Sequence, residues 1–240
     1  MRVLDIDLDF FLADCCPLAD KGKRPALEGR EPWDEEKVIA FLEGQCGLDT
    51  HCPVSGTVFE THDMALDYWE GLIKEGRLSV PFEVTHVDAH SDLGIGRPGP
   101  SFVLNNVLAM QPEKRPDLRK YRDMVKLDEG NYLLFALAFR WISSLENIRA
   151  PLSRPDIPPV ILACGKDDLI CMSSLPSRLM EVRNGPEPAI PFSVYQDYTL
   201  FRAAGRYDFV SLAMSPRYTP EAADQLADVI SRYFTMDAAL

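Results

Sequence analysis

The sequence predicts an α/β protein with a mainly parallel sheet. Short apolar runs alternate along the chain with helical stretches, the pattern of strand–helix units stacked around a parallel sheet. The N-terminal run Val3–Phe11 keeps a strict two-residue period of apolar residue against aspartate. The apolar run Val80–Val87 leads straight into Asp88-Ala89-His90-Ser91-Asp92, so polar chemistry sits at a strand end, where open α/β sheets place their ligands.

Bulk properties narrow the function. The chain of 240 residues is 46% hydrophobic, enough to bury a sizeable core in one α/β domain spanning 1–240. A net charge of −12 argues against nucleic acid and anionic membrane surfaces as partners, and suits a site that holds cations. No apolar run approaches the roughly 18 residues of a membrane span, and Asp5 makes the N-terminus acidic rather than signal-like. The 6 cysteines form no CxxC pair, which fits reduced thiols in the cytoplasm. Adjacent Cys15 and Cys16 read either as inert thiols or as zinc ligands.

In chain order, Val3–Phe11 is a strand with Leu4, Ile6, Leu8 and Phe10 on one face and Asp5, Asp7 and Asp9 on the other. Pro17–Trp33 is a loop. Asp34 is the N-cap of a helix to Leu42, with Glu35 and Glu36 favourably placed in its first turn. Val54–Glu60 reads as a strand. Met64–Glu75 is an amphipathic helix with a stripe of Met64, Leu66, Trp69, Leu72 and Ile73, which puts His62 and Asp63 at a helix start.

Val80–Val87 is a buried strand, and the residues from Leu93 to Pro100 form a loop rich in glycine and proline. Ser101–Met110 is apolar around Asn105-Asn106. A helix is expected over Pro116–Val125, and a strongly apolar one over Asn131–Leu145 that includes Trp141. Ala150–Pro159, with four prolines, is a linker loop. Val160–Cys164 reads as a buried strand capped by Gly165-Lys166-Asp167-Asp168. Ser174–Val182 reads as a helix, Asn184–Pro191 as a proline-rich connection and Tyr207–Met214 as a buried strand. Pro220 opens a closing helix over Glu221–Phe234.

The chemistry concentrates in three places. Asp88, His90 and Asp92 occupy alternate positions, which an extended backbone turns to one side. Asp7 and Asp9 repeat the pattern on the first strand, where a buried row of like charges is tolerable only with protons retained or cations present. His62 stands at a strand-to-helix turn and, alone, also reads as an ordinary helix-start residue. Counting Asp5, five carboxylates and two imidazoles form an oxygen-rich set suited to Mn²⁺ or another fairly hard divalent ion.

These residues resemble a known family. His86-Val87-Asp88-Ala89-His90-Ser91-Asp92 is similar to the DAHxD motif of the arginase/agmatinase/histone deacetylase superfamily, and Asp7-Leu8-Asp9-Phe10-Phe11 resembles its second DxD signature. His62-Asp63 looks like the lone histidine that precedes DAHxD. The resemblance implies a three-layer α/β/α fold and a binuclear manganese centre, with Fe²⁺ or Zn²⁺ as other occupants. It implies that Asp88 and Asp7 bridge two ions, that His62 and Asp92 complete one shell, and that His90 and Asp9 complete the other. Asp5, where the family often has serine, is an outer-shell group or an extra ligand. Here DxD precedes DAHxD instead of following it, so the strand order is rearranged; this layout is similar to a branch associated with peptide arginases. By position the family's guanidinium-binding glutamate becomes Ala213.

The implied activity is hydrolysis of a linear C–N bond, in a guanidino, amidine or amide group of a small molecule or peptide, by metal-bound hydroxide. Asp92 is the expected proton relay. His86 is a second catalytic candidate that reads equally as a packed strand residue, and Asp5, Asn105 and Asn106 are substrate candidates. Two alternatives stand beside this. One is a haloacid-dehalogenase-type phosphatase with Asp5 as nucleophile and Asp7 as acid/base, which leaves DAHSD without a role. The other is a non-catalytic metal-binding protein of the same fold.

Overall fold

A computed structural model describes residues 1–94, 99–163, 166–174 and 187–237. The first strand, β1 (Arg2–Asp7), lies at the heart of a nine-stranded sheet. The others are β2 (Val54–Phe59), β3 (Phe82–Asp88), β4 (Ile142–Arg149), β5 (Leu162–Ala163), β6 (Lys166–Ile170), β7 (Ile190–Tyr195), β8 (Phe209–Ala213) and β9 (Phe234–Met236). Their order is β5-β6-β7-β4-β3-β1-β8-β2-β9. Every pairing from β7 across to β9 is parallel, while β5 and β6 add an antiparallel edge.

Helices cover both faces. From β1 the chain passes through α1 (Glu35–Gly44) to β2, then returns across β1 through α2 (Ala65–Lys74) to β3. Right-handed crossovers in opposite directions put these helices on opposite faces. Val38, Phe41 and Leu42 of α1 therefore pack with Leu4 and Ile6, together with Leu226 and Ile230 of the closing helix (Asp224–Ser231). Leu66, Trp69 and Leu72 of α2 pack with Val3 and Val84, beside the apolar helix Tyr132–Ala138. The first face of β1 is thus purely apolar, and Asp5 and Asp7 point to the second. No helix among the described residues is long and apolar enough to cross a membrane.

Several predicted elements hold. Asp34 caps α1 by accepting from Lys37 N at 2.8 Å, and Leu66, Trp69 and Leu72 form the buried stripe of α2, though Met64 is exposed. A helix covers Leu118–Asp123. Others change. Val3–Phe11 is a strand only to Asp7, where Leu8–Phe11 turns into a 3₁₀ helix. The helix expected over Asn131–Leu145 stops at Ala138, because Arg140 takes a left-handed conformation (φ 62°), and Ile142 begins β4. Val160–Cys164 narrows to the two residues of β5, with Val160 exposed, and Lys166–Asp168 belongs to β6 instead of a cap. The connection expected through Pro191 contains the start of β7. The closing helix ends at Ser231, and Phe234 opens β9. Phe234 packs over Gly56 of β2, where an added Cβ would lie 2.8 Å from Val210 O, so only glycine fits. The helix expected over Ser174–Val182 lies almost wholly outside the described residues, as does Cys164.

Candidate metal centre

The sheet brings the two aspartate motifs together. In β1 and β3, Asp5 sits against His86 and Ile6 against Val87, so Asp7 and Asp88 end their strands in step. On the other side of β1, Asp5 pairs with Ser211 and Asp7 with Ala213 of β8. The C-terminal ends of β1, β3 and β8 therefore form one polar floor, at the point where the chain reverses its direction across the sheet.

Local turns complete it. Asp7 Oδ1 accepts from Asp9 N at 2.9 Å and starts the 3₁₀ turn, which swings Asp9 round until its Oδ1 accepts from Ala89 N at 3.1 Å. Phe10 and Phe11 anchor that turn among the rings of Trp33, Phe41 and, for Phe10, Tyr198. After Asp88 the chain does not stay extended. Asp88 Oδ1 accepts from His90 N at 2.5 Å, and Asp92 adopts φ 50°. Ser91 N donates to Asp156 Oδ2 at 2.8 Å, and buried Arg149 pairs with Asp156 at 3.0 Å. Convergence of Asp88, His90 and Asp92 is thus the work of a pinned turn, not of strand alternation. His62 begins a 3₁₀ turn before α2, and Arg122 holds that turn through Asp63 at 3.0 Å.

Among the candidate ligand groups that result, the two that face the cavity share one carboxylate. His62 Nδ1 lies 3.1 Å from Asp7 Oδ2, 3.0 Å from Asp88 Oδ2 and 3.2 Å from Asp92 Oδ2. His90 Nδ1 lies 3.0 Å from Asp9 Oδ2 and 3.5 Å from Asp88 Oδ1. Asp88 therefore presents one oxygen to each group. Asp7 joins only the first: its other oxygen is taken by Asp9 N, and Ser215 Oγ donates to its Oδ2. The expectation that Asp7 also bridges finds no counterpart in this arrangement.

Electrostatics make the grouping costly without cations. Burial and the charges of Asp7 and Asp88 push Asp9 up to about 8. Burial and Asp88 push Asp92 up to about 8. Burial opposes charge on Asp88 and Asp5 too, but histidines hold both below the usual carboxylate range: His62 and His90 for Asp88, His62 and His86 for Asp5. His62 and His90 are raised against the pull of burial, chiefly by Asp5 and Asp9 respectively. Protons thus stand where positive ions would.

The residues fit divalent ions on a direct observation. His62 is 1% exposed, and neither of its ring nitrogens has a well-aligned hydrogen-bond partner, although three carboxylate oxygens crowd Nδ1. Ligand atoms about 2.1 Å from a common ion lie about 3 Å apart when bound at right angles, and the separations around Nδ1 match that spacing. The donor set of carboxylates and imidazoles suits Mn²⁺, Fe²⁺ or Zn²⁺. No thiol joins a candidate ligand group among the described residues, Cys15 and Cys16 included; burial pushes the Cys16 thiol up to about 11.

The floor opens into a cavity of about 650 Å³ lined by Asp9, His90, Glu129, Arg217 and Tyr218 among others. The candidates divide around it. Asp7, Asp9, His62, Asp88, His90 and Asp92 all line the cavity. Asp5 and His86 are fully buried beside His62, and neither lines the cavity. Asp5 accepts from Ser211 Oγ (2.5 Å) and Tyr132 OH and faces His86 Nδ1 (3.2 Å). Asn105 and Asn106 are exposed on a π-helical turn, where Asn106 Nδ2 donates to Phe102 O at 3.2 Å, and neither lines the cavity.

The sequence left other groups unread. Tyr132, Ser211 and Ser215 hold Asp5 and Asp7; Ser211 lies on β8 and Ser215 just past its end, either side of Ala213 at two-residue spacing, a signal visible in the sequence. Glu129 and Arg217 had no such signal, coming from connecting segments. Burial, Asp7 and Asp63 push Glu129 up to about 7. Arg217 donates through Nε to Ala19 O at 3.0 Å, and no carboxylate among the described residues forms an ion pair with it.

Comparison with models of protein families, with curated proteins and with solved structures finds no match.

Proposed function

We propose that the protein is a binuclear metallohydrolase of arginase-like fold that cleaves a linear C–N bond in a guanidino, amidine or amide group. The observation that carries the reading is Asp88, whose two oxygens face two separate ligand groups at the base of an open cavity. When bound, two divalent ions, Mn²⁺ by the weight of oxygen ligands, supply Lewis acidity and lower the pKa of water in their shell. The first position would be held by Asp7, His62 and Asp88, with Asp92 beside His62 Nδ1, and the second by Asp9, Asp88 and His90.

The chain's own residues supply the rest. Asp92, at the cavity wall and with a raised pKa of about 8, is placed to accept and pass on a proton. Glu129, pushed up to about 7, is a second proton carrier across the cavity. It also offers a carboxylate to a cationic group, a role left open where Ala213, fully buried against the apolar layer, replaces a glutamate. Arg217 offers the complementary positive charge for an anionic end of a small molecule or peptide. The acidic composition and free cysteines fit a cytoplasmic setting.

Metal analysis of the purified protein tests the centre: nearly two ions per chain are expected, and one or none sinks it. Release of urea or ammonia from guanidino peptides by the metal-loaded protein tests the chemistry. Two ions with no turnover of any guanidino, amidine or amide compound would favour the non-catalytic alternative.

A further inference from the structure

The family pattern assigns the first ion position one imidazole, from His62. The structure places a second beside it. His86 is 0% exposed, and its Nε2 has no hydrogen-bond partner. That nitrogen lies 3.4 Å from Asp88 Oδ2 and 3.9 Å from Asp92 Oδ2. The same two oxygens lie 3.0 Å and 3.2 Å from His62 Nδ1. A buried nitrogen lone pair with no partner costs free energy comparable to a lost hydrogen bond. Here it points at atoms already grouped as ligands.

One carboxylate sets both rings. Asp5 Oδ2 faces His86 Nδ1 at 3.2 Å and His62 Nε2 at 3.3 Å, and it also accepts from Tyr132 OH. The rings stack with centroids 5.2 Å apart and planes 27° from parallel. With the outward nitrogen of each ring turned to Asp5, the inward nitrogens, His62 Nδ1 and His86 Nε2, both face Asp88 Oδ2 and Asp92 Oδ2. This is the outer-shell arrangement that orients metal-binding histidines, applied to two at once.

We infer that His86 Nε2 is a ligand of the inner ion position, so that a buried two-imidazole site lies behind a cavity-facing one-imidazole site at His90. The inference rests on the binuclear reading and extends it. The outer set, Asp9, Asp88 and His90, lies at the cavity, and the His90 side chain is 32% exposed. The inner set offers more ligand atoms than the outer one, so the inner position fills first and the outer one, at the cavity, exchanges with the medium.

Metal-free protein given one equivalent of Zn²⁺ and studied by X-ray absorption should show two imidazoles on the ion. A single imidazole there, with two ions still binding in all, overturns the role of His86 and leaves the binuclear reading intact; failure of the wild-type chain to bind any ion overturns both. In titrations against a competing chelator, His86→Gln should weaken the first equivalent by more than the about 10–100-fold typical of losing an outer-shell partner, while His90→Gln weakens the second. Equal first-equivalent affinities in wild type and a folded His86→Gln chain also overturn the assignment. The wild-type absorption measurement decides the matter if that variant does not fold.

Discussion

Asp5 and His86 are direct cross-strand partners at the centre of the sheet, and Asp5 Oδ2 meets His86 Nδ1 at 3.2 Å. Neither lines the cavity, yet this pair sets which histidine nitrogens face the proposed metal positions. Asp5→Asn keeps the shape but replaces one oxygen acceptor with a donor. The outward nitrogens of His62 and His86 then lose the charge that orients them. Metal affinity should fall about 10–100-fold, as for other outer-shell partners, read by titration against a chelator. Unchanged affinity would mean that Asp5 only fills space.

Asp88 serves both positions, so its loss should differ from that of any other ligand. Asp88→Ala is expected to remove both ions, measured as metal content after desalting. A folded Asp88→Ala chain that retained two ions per chain would show that the two groups around Asp88 are not metal positions at all.

The charge distribution sets a pH dependence with a definite sign. Folded Asp9 and Asp92 hold protons up to about 8, whereas the ordinary value is 3.8. Between these values the folded state binds more protons than the unfolded one, so stability falls as pH rises. Glu129, pushed up to about 7, acts in the same sense from its ordinary 4.5. His62 and His90, raised above 6.5, add to the fall at higher pH. Asp5 and Asp88, held low, contribute stability above 3.8 and change it only in more acid solution. The melting temperature of chelator-treated protein should therefore drop between about pH 5 and 8.5. Added Mn²⁺ should abolish the drop, because ions replace the protons. A flat profile without metal would contradict the charge assignment.

How much of this was legible in the sequence depends on the local rule at each residue. Asp34 capped its helix as read, because capping is local chemistry. The two-residue period gave Asp5 and Asp7 their face correctly, since β1 is a regular strand. It failed at Asp9 and again beyond Asp88, where side chains of Asp7 and Asp156 capture backbone N–H groups and turn the chain. The six predicted side chains converge on one cavity, but by turns that no period encodes. The start of β4, Ile142–Leu145, was read as the end of the apolar helix before it, where a short buried strand and a buried helix look alike. Glu129 and Arg217 come from connecting segments and acquire meaning only when the sheet brings their ends to one cavity.

Glu129 and Arg217 make the substrate side testable. If Glu129 receives a cationic group, Glu129→Gln should raise KM for a guanidino peptide about 10–100-fold, the value of about 1.5–3 kcal/mol for a charge-assisted hydrogen bond. Metal content should stay at the wild-type level, since Glu129 belongs to neither ligand group. Arg217→Met should do the same for substrates that carry a carboxylate, and little for those that lack one. Steady-state kinetics on paired substrates checks both, and equal effects on the two substrates would rule out recognition of an anionic end by Arg217.

The turn that carries Asp92 depends on a pair outside the cavity. Arg149 and Asp156 are 1% and 8% exposed and pair at 3.0 Å, and Asp156 also receives Ser91 N at 2.8 Å. Asp156→Ala leaves a buried guanidinium without its carboxylate, a change that costs about 3–5 kcal/mol in comparable buried pairs. It also releases Ser91, whose neighbour Asp92 is held at φ 50° only by the surrounding turn. Urea denaturation should show the loss in stability. Chelator titration should show weaker binding at the inner position, to which Asp92 belongs, with the outer set of Asp9, Asp88 and His90 less affected. Loss of stability without any change at the inner position would separate the two roles and leave Asp156 as a purely structural residue.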